Sequence, residues 1–308
     1  MRLLFYSSGN DTSAWVAALR HELPEARVEV WPADAANGAD YALVWKPPAQ
    51  LWRDLEGVKA IFNLGAGVDA LARDAALPTG VRLVRLEDAG MAQQMAEYVC
   101  HAVLRRYREF DLYAEQQRAG LWRARPRPSK QGFAVGILGL GLLGMAVAAA
   151  LLPFGFPLRG WSRTCRQRAG IATFSGTSEL DAFLAATQVL VCLLPLTPET
   201  QGLLDRATLS RLPRGACLVN VSRGALVVDD DLLALLDSGH LAAAMLDVFH
   251  DEPLPPMHRF WHHPRIALTP HVAAITLVEE AVAQIAEKIR RLEAGLPVTG
   301  VVVRDRGY

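Results

Sequence analysis

The sequence predicts an α/β protein with two doubly wound parallel sheets. The chain has 308 residues, more than one ordinary domain, and 51% of them are hydrophobic, enough for two cores. Short strand-like runs alternate with helical patterns along the chain, which favours parallel sheets covered by helices on both faces. Near the middle, a strand-like run passes through spaced glycines into a helical pattern. These three observations predict the fold class, and the elements follow in order.

The first part of the chain, up to residue 91, alternates short elements of both kinds. A tryptophan, Trp45, ends one strand and is followed by Lys46-Pro47-Pro48. Its ring is a candidate for the wall of a substrate pocket, with a plain structural role as the alternative. The predicted strands are 3–6, 28–31, 41–45 and 60–63, and the predicted helices are 13–21 and 50–55.

A glycine turn, Asn63-Leu64-Gly65-Ala66-Gly67-Val68-Asp69, follows the strand at 60–63 and opens a helix. Consecutive backbone N–H groups in such a turn can hold a carboxylate without any side chain. An ordinary tight turn is the alternative. The substrate-binding candidates from this turn are Gly65, Ala66 and Gly67.

The longest helical pattern runs over residues 90–120, and a helix of this length is expected to cross between domains or subunits. Residues 120–130 then combine arginines with prolines, which indicates an extended, exposed connection. A nucleic-acid site is disfavoured there, because the segment is short, has one aromatic residue and belongs to a neutral protein. The apolar positions of the pattern are Met95, Tyr98, Val99, Ala102, Val103, Tyr107 and Phe110.

A strand predicted at 134–138 runs into glycines with the spacing G-x-G-x-x-G. The first glycine permits a tight turn, the second lets the backbone approach a pyrophosphate, and the third lets the next helix, 142–152, pack closely. The N-terminal amides of that helix favour phosphate. The motif therefore indicates a Rossmann dinucleotide-binding domain. Its cofactor-binding candidates are Gly139, Gly141, Leu142, Leu143 and Gly144.

The choice of dinucleotide depends on the residues after the next strand, predicted at 157–161. An acidic residue at this point would hydrogen-bond the adenosine ribose of NAD. The chain instead has Ser162-Arg163-Thr164-Cys165-Arg166, with no carboxylate to repel a 2′-phosphate and with Arg163 to pair with one. We therefore predict that NADP(H) is preferred and NAD(H) possible, and that Ser162, Arg163 and Thr164 contact the cofactor. The alternative is that these arginines are merely solvated.

Four further strands, 189–193, 217–221, 243–247 and 266–268, end in polar loops. Open α/β sheets bind their ligands at the carboxyl ends of strands. The remaining cofactor-binding candidates are Leu194, Pro195, Thr197, Thr200, Val221, Ser222 and Asp247, with Met91 at the start of the long helix.

The C-terminal helix, predicted at 277–294, is expected to return to the first domain and make it discontinuous. The expected domains are therefore 1–95 with 274–308 for the substrate, and 96–273 for the dinucleotide.

Hydride transfer from a nicotinamide to a carbonyl carbon leaves an oxygen that needs a proton. His271 closes a strand-end loop at the predicted crevice, and histidine is suited to donate protons near neutrality. A carboxylate on its other ring nitrogen would orient the ring. Glu252 is the candidate, and spacing leaves its neighbour Asp251 open. Arg223 offers a planar fork for a substrate carboxylate or keto oxygen.

In this order, the motifs G-L-G-L-L-G, L-P-L-T-P-E-T, V-N-V-S-R-G, L-D-V-F-x-x-E-P-L-P and T-P-H-V-A-A resemble those of the D-2-hydroxyacid dehydrogenases. V-W-K-P-P, N-L-G-A-G-V-D, E-D-A-G-M and the closing P-V-T-G are similar to the glyoxylate/hydroxypyruvate reductase A type. The resemblance covers nearly the whole chain. It implies a Rossmann cofactor domain, a flavodoxin-like substrate domain, and NADPH-dependent reduction of a small 2-oxo acid such as glyoxylate or hydroxypyruvate.

The resemblance also implies roles for single residues. Arg223 would bind and polarise the substrate, and Glu252 would keep the general acid, His271, protonated. The missing acidic residue after Trp161 departs from the wider family and suits its NADPH-preferring branch. A homodimer built around the helix after Met91 is implied as well. The remaining implied contacts are Asp247 and Thr197 near the nicotinamide, the Ala66 and Gly67 amides on the substrate carboxylate, and Trp45 in the pocket wall.

Composition narrows the classes of partner and compartment. The 32 basic and 32 acidic residues balance, so no global field recruits nucleic acid or a membrane surface. The cysteines, Cys100, Cys165, Cys192 and Cys217, are isolated, which fits buried thiols in a reducing cytoplasm. We expect no metal site, leader or membrane span. Two other functions stay open: a nucleotide-sensing regulator that kept the fold, and physiological oxidation of a D-2-hydroxy acid.

Overall fold

The structure is a computed structural model that describes residues 1–9, 11–32, 38–126, 128–164 and 167–303. Among residues discussed above, Arg127, Cys165, Arg166 and the end of the C-terminal domain segment, 304–308, lie outside the described residues.

The chain divides into two compact units. One comprises Met1–Met91 with Ile275–Tyr308, and the other comprises Ala92–Ala274. The boundaries expected from the sequence lay at 95 and 273. The chain therefore leaves the first unit once and returns to it once.

The first unit is built on a five-stranded parallel sheet with the order β2-β1-β3-β4-β5. This is the flavodoxin-like order, in which the strand order reverses between β1 and β3. The strands are β1 Arg2–Ser7, β2 Arg27–Val30, β3 Tyr41–Trp45, β4 Ala60–Asn63 and β5 Arg82–Val84. The helices are α1 Thr12–Glu22, α2 Asp69–Ala72 and α9 Val278–Glu293, and a 3-10 turn covers Ala49–Asp54.

The last helix, α9, is held within the first unit by both apolar and polar contacts. It packs against α1. At its C-terminal end, Glu293 Oε1 accepts hydrogen bonds from the Tyr41 hydroxyl at 2.7 Å and the Lys59 ammonium at 2.7 Å. The chain thus returns to the sheet it began in. The buried stripe of α9 includes Ala281, Val282, Ile285, Ala286 and Ile289.

The second unit is built on a seven-stranded parallel sheet with the order β12-β11-β10-β9-β6-β7-β8. The strands are β6 Val135–Leu138, β7 Leu158–Ser162, β8 Ile171–Ser175, β9 Val189–Cys192, β10 Ala216–Asn220, β11 Leu241–Leu246 and β12 Ile266–Leu268. The helices are α3 Met91–Tyr107, which begins at the boundary between the units, α4 Phe110–Arg118, α5 Leu142–Leu151, α6 Leu180–Ala185, α7 Arg206–Leu209 and α8 Asp229–Asp237. Short 3-10 turns cover Leu152–Phe154, Thr177–Glu179, Gly224–Leu226 and Arg259–His262.

The predicted fold class, two doubly wound parallel sheets, is confirmed. The strand order reverses between β6 and β9, so the loops after these two strands diverge and leave a crevice at the carboxyl edge. The glycine motif follows β6 and therefore lies at this switch point.

Three features differ from the sequence-based expectation. The single helix predicted over 90–120 is wrong: Glu109 adopts φ 54°, a left-handed conformation that ends one helix and starts the next. The predicted helix at 50–55 is a 3-10 turn. The strands β5 and β8 and the helices α6, α7 and α8 were missed. The strand β5 and the helices α6 and α7 are short, and β8 is an edge strand with partly exposed threonine and serine.

No helix in the part of the chain that the structure describes is both long and apolar enough to cross a membrane.

Candidate active site

The glycine turn after β6 has the geometry of a phosphate-binding loop. Gly139 adopts φ +117°, and a Cβ there would lie 2.9 Å from the carbonyl oxygen of Leu193. A Cβ on Gly144 would overlap the carbonyl oxygen of Gly139, so α5 packs directly on the turn. Beside Gly141 there is open space, with no described atom within 4 Å of a Cβ position. The turn is tight where the helix packs and open where a ligand would approach.

The N-terminus of α5 opens onto the same space. Among the described residues no side chain caps it, and its first residue, Leu142, is exposed while Leu143 is half-buried. Uncapped amides and the positive end of the helix dipole favour a phosphate group. These features fit a bound dinucleotide.

The cluster after β7 presents Arg163 to solvent. The hydroxyl of Ser162 donates to the carbonyl of Thr164 at 2.8 Å and closes the turn around this arginine. The pKa of the exposed Glu199 is lowered, first by a hydrogen bond from Thr197 and to a lesser extent by the charge of Arg163. The loop after β9 therefore lies near Arg163.

The loop after β9 is held by its own threonines. The Thr200 hydroxyl donates to the carbonyl of Pro195 at 2.7 Å and accepts from the amide of Thr197 at 2.8 Å. Thr197 itself is buried. The hydroxyl of Ser222 donates to the carbonyl of Leu194, which ties this loop to the next one.

The loop after β10 presents Arg223. Asn220 is buried at the strand end; its Oδ1 accepts from the Ser222 amide at 3.2 Å, and its Nδ2 donates to the Arg223 carbonyl at 2.9 Å. The Arg223 guanidinium donates to the Ser222 carbonyl at 2.6 Å. Val221, which lies between Asn220 and Ser222 in the sequence, is buried. The Asn220 side chain thus fixes the turn from which Arg223 extends.

The Arg223 loop is in direct backbone contact with the loop after β11. A Cβ on Gly224 would overlap the backbone of Phe249, so only glycine allows the two segments to approach this closely. The Phe249 amide in turn donates to Glu252 Oε1 at 3.0 Å. Arg223 and Glu252 are therefore placed by two loops that pack against each other.

Glu252 and His271 are joined by a hydrogen bond, with 2.7 Å between Glu252 Oε2 and His271 Nδ1. Burial works to raise the pKa of Glu252, but the hydrogen bonds from His271 and the Phe249 amide outweigh it. The charges of His271 and Arg223 add to this effect, and the pKa of Glu252 falls below its ordinary value. Asp251, the neighbour that spacing left open, is exposed, and Glu252 makes the contact.

The structure thus brings three predicted catalytic residues together at the carboxyl edge of one sheet. Glu252 holds one ring nitrogen of His271. The His271 side chain remains 43% exposed. Arg223 is close enough for its charge to lower the pKa of Glu252. The arrangement can anchor an anionic substrate and donate a proton to it.

Two side chains near this site were missed by sequence reasoning. Thr269 and Tyr98 form hydrogen bonds that end on the buried carboxylate of Asp247. Tyr98 was counted only among the apolar positions of a helix. Its hydroxyl on an otherwise buried helix face was the one available signal.

The predicted substrate-binding residues other than Arg223 lie in the first unit. The ring of Trp45 packs on Gly65, where a Cβ would lie 2.6 Å from Cζ3 of the ring. The buried Asn63 donates from Nδ2 to the carbonyls of Gly65 at 2.8 Å and Gly67 at 2.9 Å. The turn that contains Ala66 is therefore rigidly held beside Trp45.

Met91, a predicted cofactor contact, is buried where α3 begins. Its sulfur lies 4.0 Å from the hydroxyl of Thr276, which also donates to the Leu64 carbonyl. Within the described residues, no group of three or more histidine, cysteine or acidic side chains is arranged to hold a metal ion.

Comparisons with known proteins agree with the motifs. The model of the family described as "D-isomer specific 2-hydroxyacid dehydrogenase, NAD binding domain" matches residues 100–273. A D-isomer specific 2-hydroxyacid dehydrogenase from Xanthobacter autotrophicus Py2, solved in complex with NADPH and MES, is 42% identical to this chain with a TM-score of 0.95. The match covers 100% of this chain and 99% of that one.

Two other solved structures are similar over the same extent. The NADPH-dependent glyoxylate/hydroxypyruvate reductase SmGhrA from Sinorhizobium meliloti, in complex with NADP and sulfate, is 36% identical with a TM-score of 0.94, covering 100% of this chain and 99% of that one. A probable 2-hydroxyacid dehydrogenase from Rhizobium etli CFN 42, in complex with NADP, HEPES and L(+)-tartaric acid, is 32% identical with a TM-score of 0.92 and the same coverage.

The pH dependence of stability should reveal the ionised state of Glu252. Because its pKa in the folded chain lies below the ordinary 4.5, its stabilisation is complete above that value and is lost as the pH falls through the folded pKa. In urea unfolding, the difference in free energy of unfolding between wild type and Glu252→Gln should be larger at about pH 6 than at about pH 3.5. The exposed neighbour serves as control: Asp251→Asn should show no such change. A Glu252→Gln difference that is constant with pH would contradict the assignment.

Proposed function

Because the chain belongs to the D-isomer specific 2-hydroxyacid dehydrogenase family, we propose that it is an NADPH-dependent reductase of small 2-oxo acids. The reactions are glyoxylate to glycolate and hydroxypyruvate to D-glycerate. The observation that supports this most is the 2.7 Å contact of His271 with Glu252, beside Arg223 and on the same sheet edge as the glycine loop.

The proton in this reaction comes from His271. Bound NADPH supplies the hydride to the carbonyl carbon of the substrate. The ring of His271 gives its Nε2 proton to the carbonyl oxygen, while Glu252 on Nδ1 stabilises the positive charge of the ring beforehand. The low pKa of Glu252 keeps this carboxylate ionised and therefore able to do so.

Two kinds of donor recognise the anionic substrate in this proposal. Arg223 binds the carboxylate or the keto oxygen through its guanidinium, which is suited to two parallel hydrogen bonds. The amides of Ala66 and Gly67 hold the substrate carboxylate, on a turn that Asn63 fixes. Trp45 lines the pocket and limits the size of the acid.

The cofactor is NADP(H), with the 2′-phosphate on Arg163. The support is the exposed arginine after β7 and the absence of an acidic residue at the position that reads a ribose hydroxyl. The similar proteins from Xanthobacter autotrophicus and Sinorhizobium meliloti were solved with NADPH and with NADP. The glycine loop and the first amides of α5 take the pyrophosphate.

The protein acts as a cytoplasmic homodimer in this proposal. The segment that follows α4 exposes Leu121 at 61% and Trp122 at 103%, and Phe110 on α4 is half exposed. Apolar side chains this exposed are candidates for burial in a subunit interface. Cys192 and Cys217 are buried free thiols, which fits a reducing compartment.

Replacing the general acid should strongly lower turnover without preventing cofactor binding. With glyoxylate or hydroxypyruvate, the wild type should oxidise NADPH, and His271→Ala should lower kcat by about 10² to 10⁴. NADPH affinity, measured by fluorescence titration, should change little. The exposed His262→Ala serves as matched control and should keep wild-type kcat. If the wild type reduces no 2-oxo acid, the proposed function is refuted. An unchanged kcat in His271→Ala would remove His271 from the mechanism.

Replacing the 2′-phosphate partner should change cofactor preference. Arg163→Ala should raise the KM for NADPH by about 10-fold or more, because a charge-assisted bond to phosphate contributes about 1.5 to 3 kcal/mol, while the KM for NADH stays within about two-fold. Arg168→Ala, on the same connection between β7 and β8, should affect neither KM. An equal increase in the KM for NADPH and for NADH in Arg163→Ala would mean that this arginine does not bind the 2′-phosphate.

A further inference from the structure

We propose that Tyr98, on helix α3, is a positioning residue that fixes the place of His271. It acts through the side chains of Thr269 and Asp247. The inference rests on the proposed function, since it concerns the geometry of the general acid of that reaction. Tyr98 itself touches neither substrate nor cofactor in this account.

Two short hydrogen bonds link the helix to the buried carboxylate. The Tyr98 hydroxyl lies 2.5 Å from Thr269 Oγ1, and Thr269 Oγ1 donates to Asp247 Oδ1 at 2.6 Å. Asp247 is 1% exposed, so its carboxylate is shielded from water. All three residues belong to the second unit, as does His271.

The direction of the chain follows from counting protons. A threonine hydroxyl has one proton, and Thr269 gives it to the carboxylate. The bond between the two hydroxyls must therefore be donated by Tyr98. Burial, with a contribution from the charge of Asp247, raises the pKa of Tyr98 to about 12, so the donor keeps its proton at working pH.

Asp247 in turn holds the loop on both sides of His271. Its Oδ1 accepts from the Val272 amide at 2.9 Å and its Oδ2 from the Ala273 amide at 2.8 Å. Its backbone carbonyl accepts from the His271 amide at 2.8 Å. The orientation of this one carboxylate therefore sets the backbone that carries the general acid.

The loop needs such support because His271 is in an unfavourable backbone conformation. Its φ is 55°, in the left-handed region that residues other than glycine rarely adopt. This conformation persists only where the surrounding hydrogen bonds impose it. Loss of the Tyr98 donor leaves a partly buried acceptor on Thr269 without this bond and frees the hydroxyl to rotate away from Asp247. The ring of His271 then moves relative to Glu252 and the substrate.

The expected consequence is a loss of rate with retained binding. Misplacement of a catalytic group by a fraction of an ångström lowers turnover strongly. Tyr98→Phe, which removes only the hydroxyl, should lower kcat by about 10-fold and leave the KM for NADPH within about two-fold of wild type. If the hydroxyl only completed the packing of α3, the variant would lower thermal stability and leave kcat unchanged.

The matched control lies on the same helix. Tyr107 is a buried tyrosine of α3 whose hydroxyl donates to the Pro128 carbonyl at 2.9 Å, away from the His271 loop. Tyr107→Phe should keep kcat within about two-fold of wild type. Thr269→Ser, which retains the hydroxyl, should also stay near wild type, while Thr269→Val should lose at least as much kcat as Tyr98→Phe. A kcat of Tyr98→Phe within about two-fold of wild type, or an equal loss in Tyr107→Phe, would overturn the proposal.

A readout without turnover separates this inference from the proposed function. If the wild type reduces no 2-oxo acid, the proposed function fails, and the positioning is judged from ¹H–¹⁵N spectra of the histidine rings. The His271 signal, identified by its absence in His271→Ala, should shift in Tyr98→Phe and stay in place in Tyr107→Phe. An unchanged His271 signal in Tyr98→Phe would overturn the positioning role.

Discussion

The hydrogen bond between Glu252 and His271 is the interaction on which the proposed chemistry depends. An imidazole can donate a proton repeatedly near neutrality only if its charged form is stabilised and its ring is oriented. The 2.7 Å contact orients the ring, and the same hydrogen bond helps to lower the pKa of Glu252, which favours the ionised carboxylate beside the imidazole. The position of Arg223 depends on the same arrangement, because its loop packs on the loop that carries Glu252.

The sheet supplies this arrangement through its topology. Parallel strands deliver all their carboxyl ends to one edge, so loops that are far apart in sequence meet there. Glycines allow the closest approaches: Gly144 lets α5 pack on the turn at Gly139, and Gly224 lets the loops that carry Arg223 and Glu252 touch. Buried polar side chains then fix the loops, Asn220 for Arg223 and Asp247 for His271. The proposed function therefore depends on side chains that fix the loop backbone by hydrogen bonds, as well as on the side chains that contact the substrate.

The sequence predicted the fold class, the family and most of the strands. Short strand-like runs between helical patterns, and the motifs at the strand ends, are signals that can be recognised locally. The sequence did not predict where a single backbone angle ends a helix. The left-handed conformation of Glu109 divides the long helical pattern into α3 and α4. Spacing could not choose between Glu252 and Asp251, since both lie on one loop and only the fold turns Glu252 toward His271. The hydrogen bond between Tyr98 and Thr269 could not be predicted from spacing either, because the two residues are 171 positions apart.

Every role proposed for these residues depends on the transfer of a hydride from NADPH to the carbonyl carbon of a 2-oxo acid. The most direct test is to supply NADPH that carries deuterium at both hydrogen positions of carbon 4 of the nicotinamide, together with glyoxylate in ordinary water, and to analyse the product by mass spectrometry. The account predicts glycolate that carries one deuterium, bound to carbon 2. Absence of product, or glycolate without deuterium at carbon 2, would contradict it.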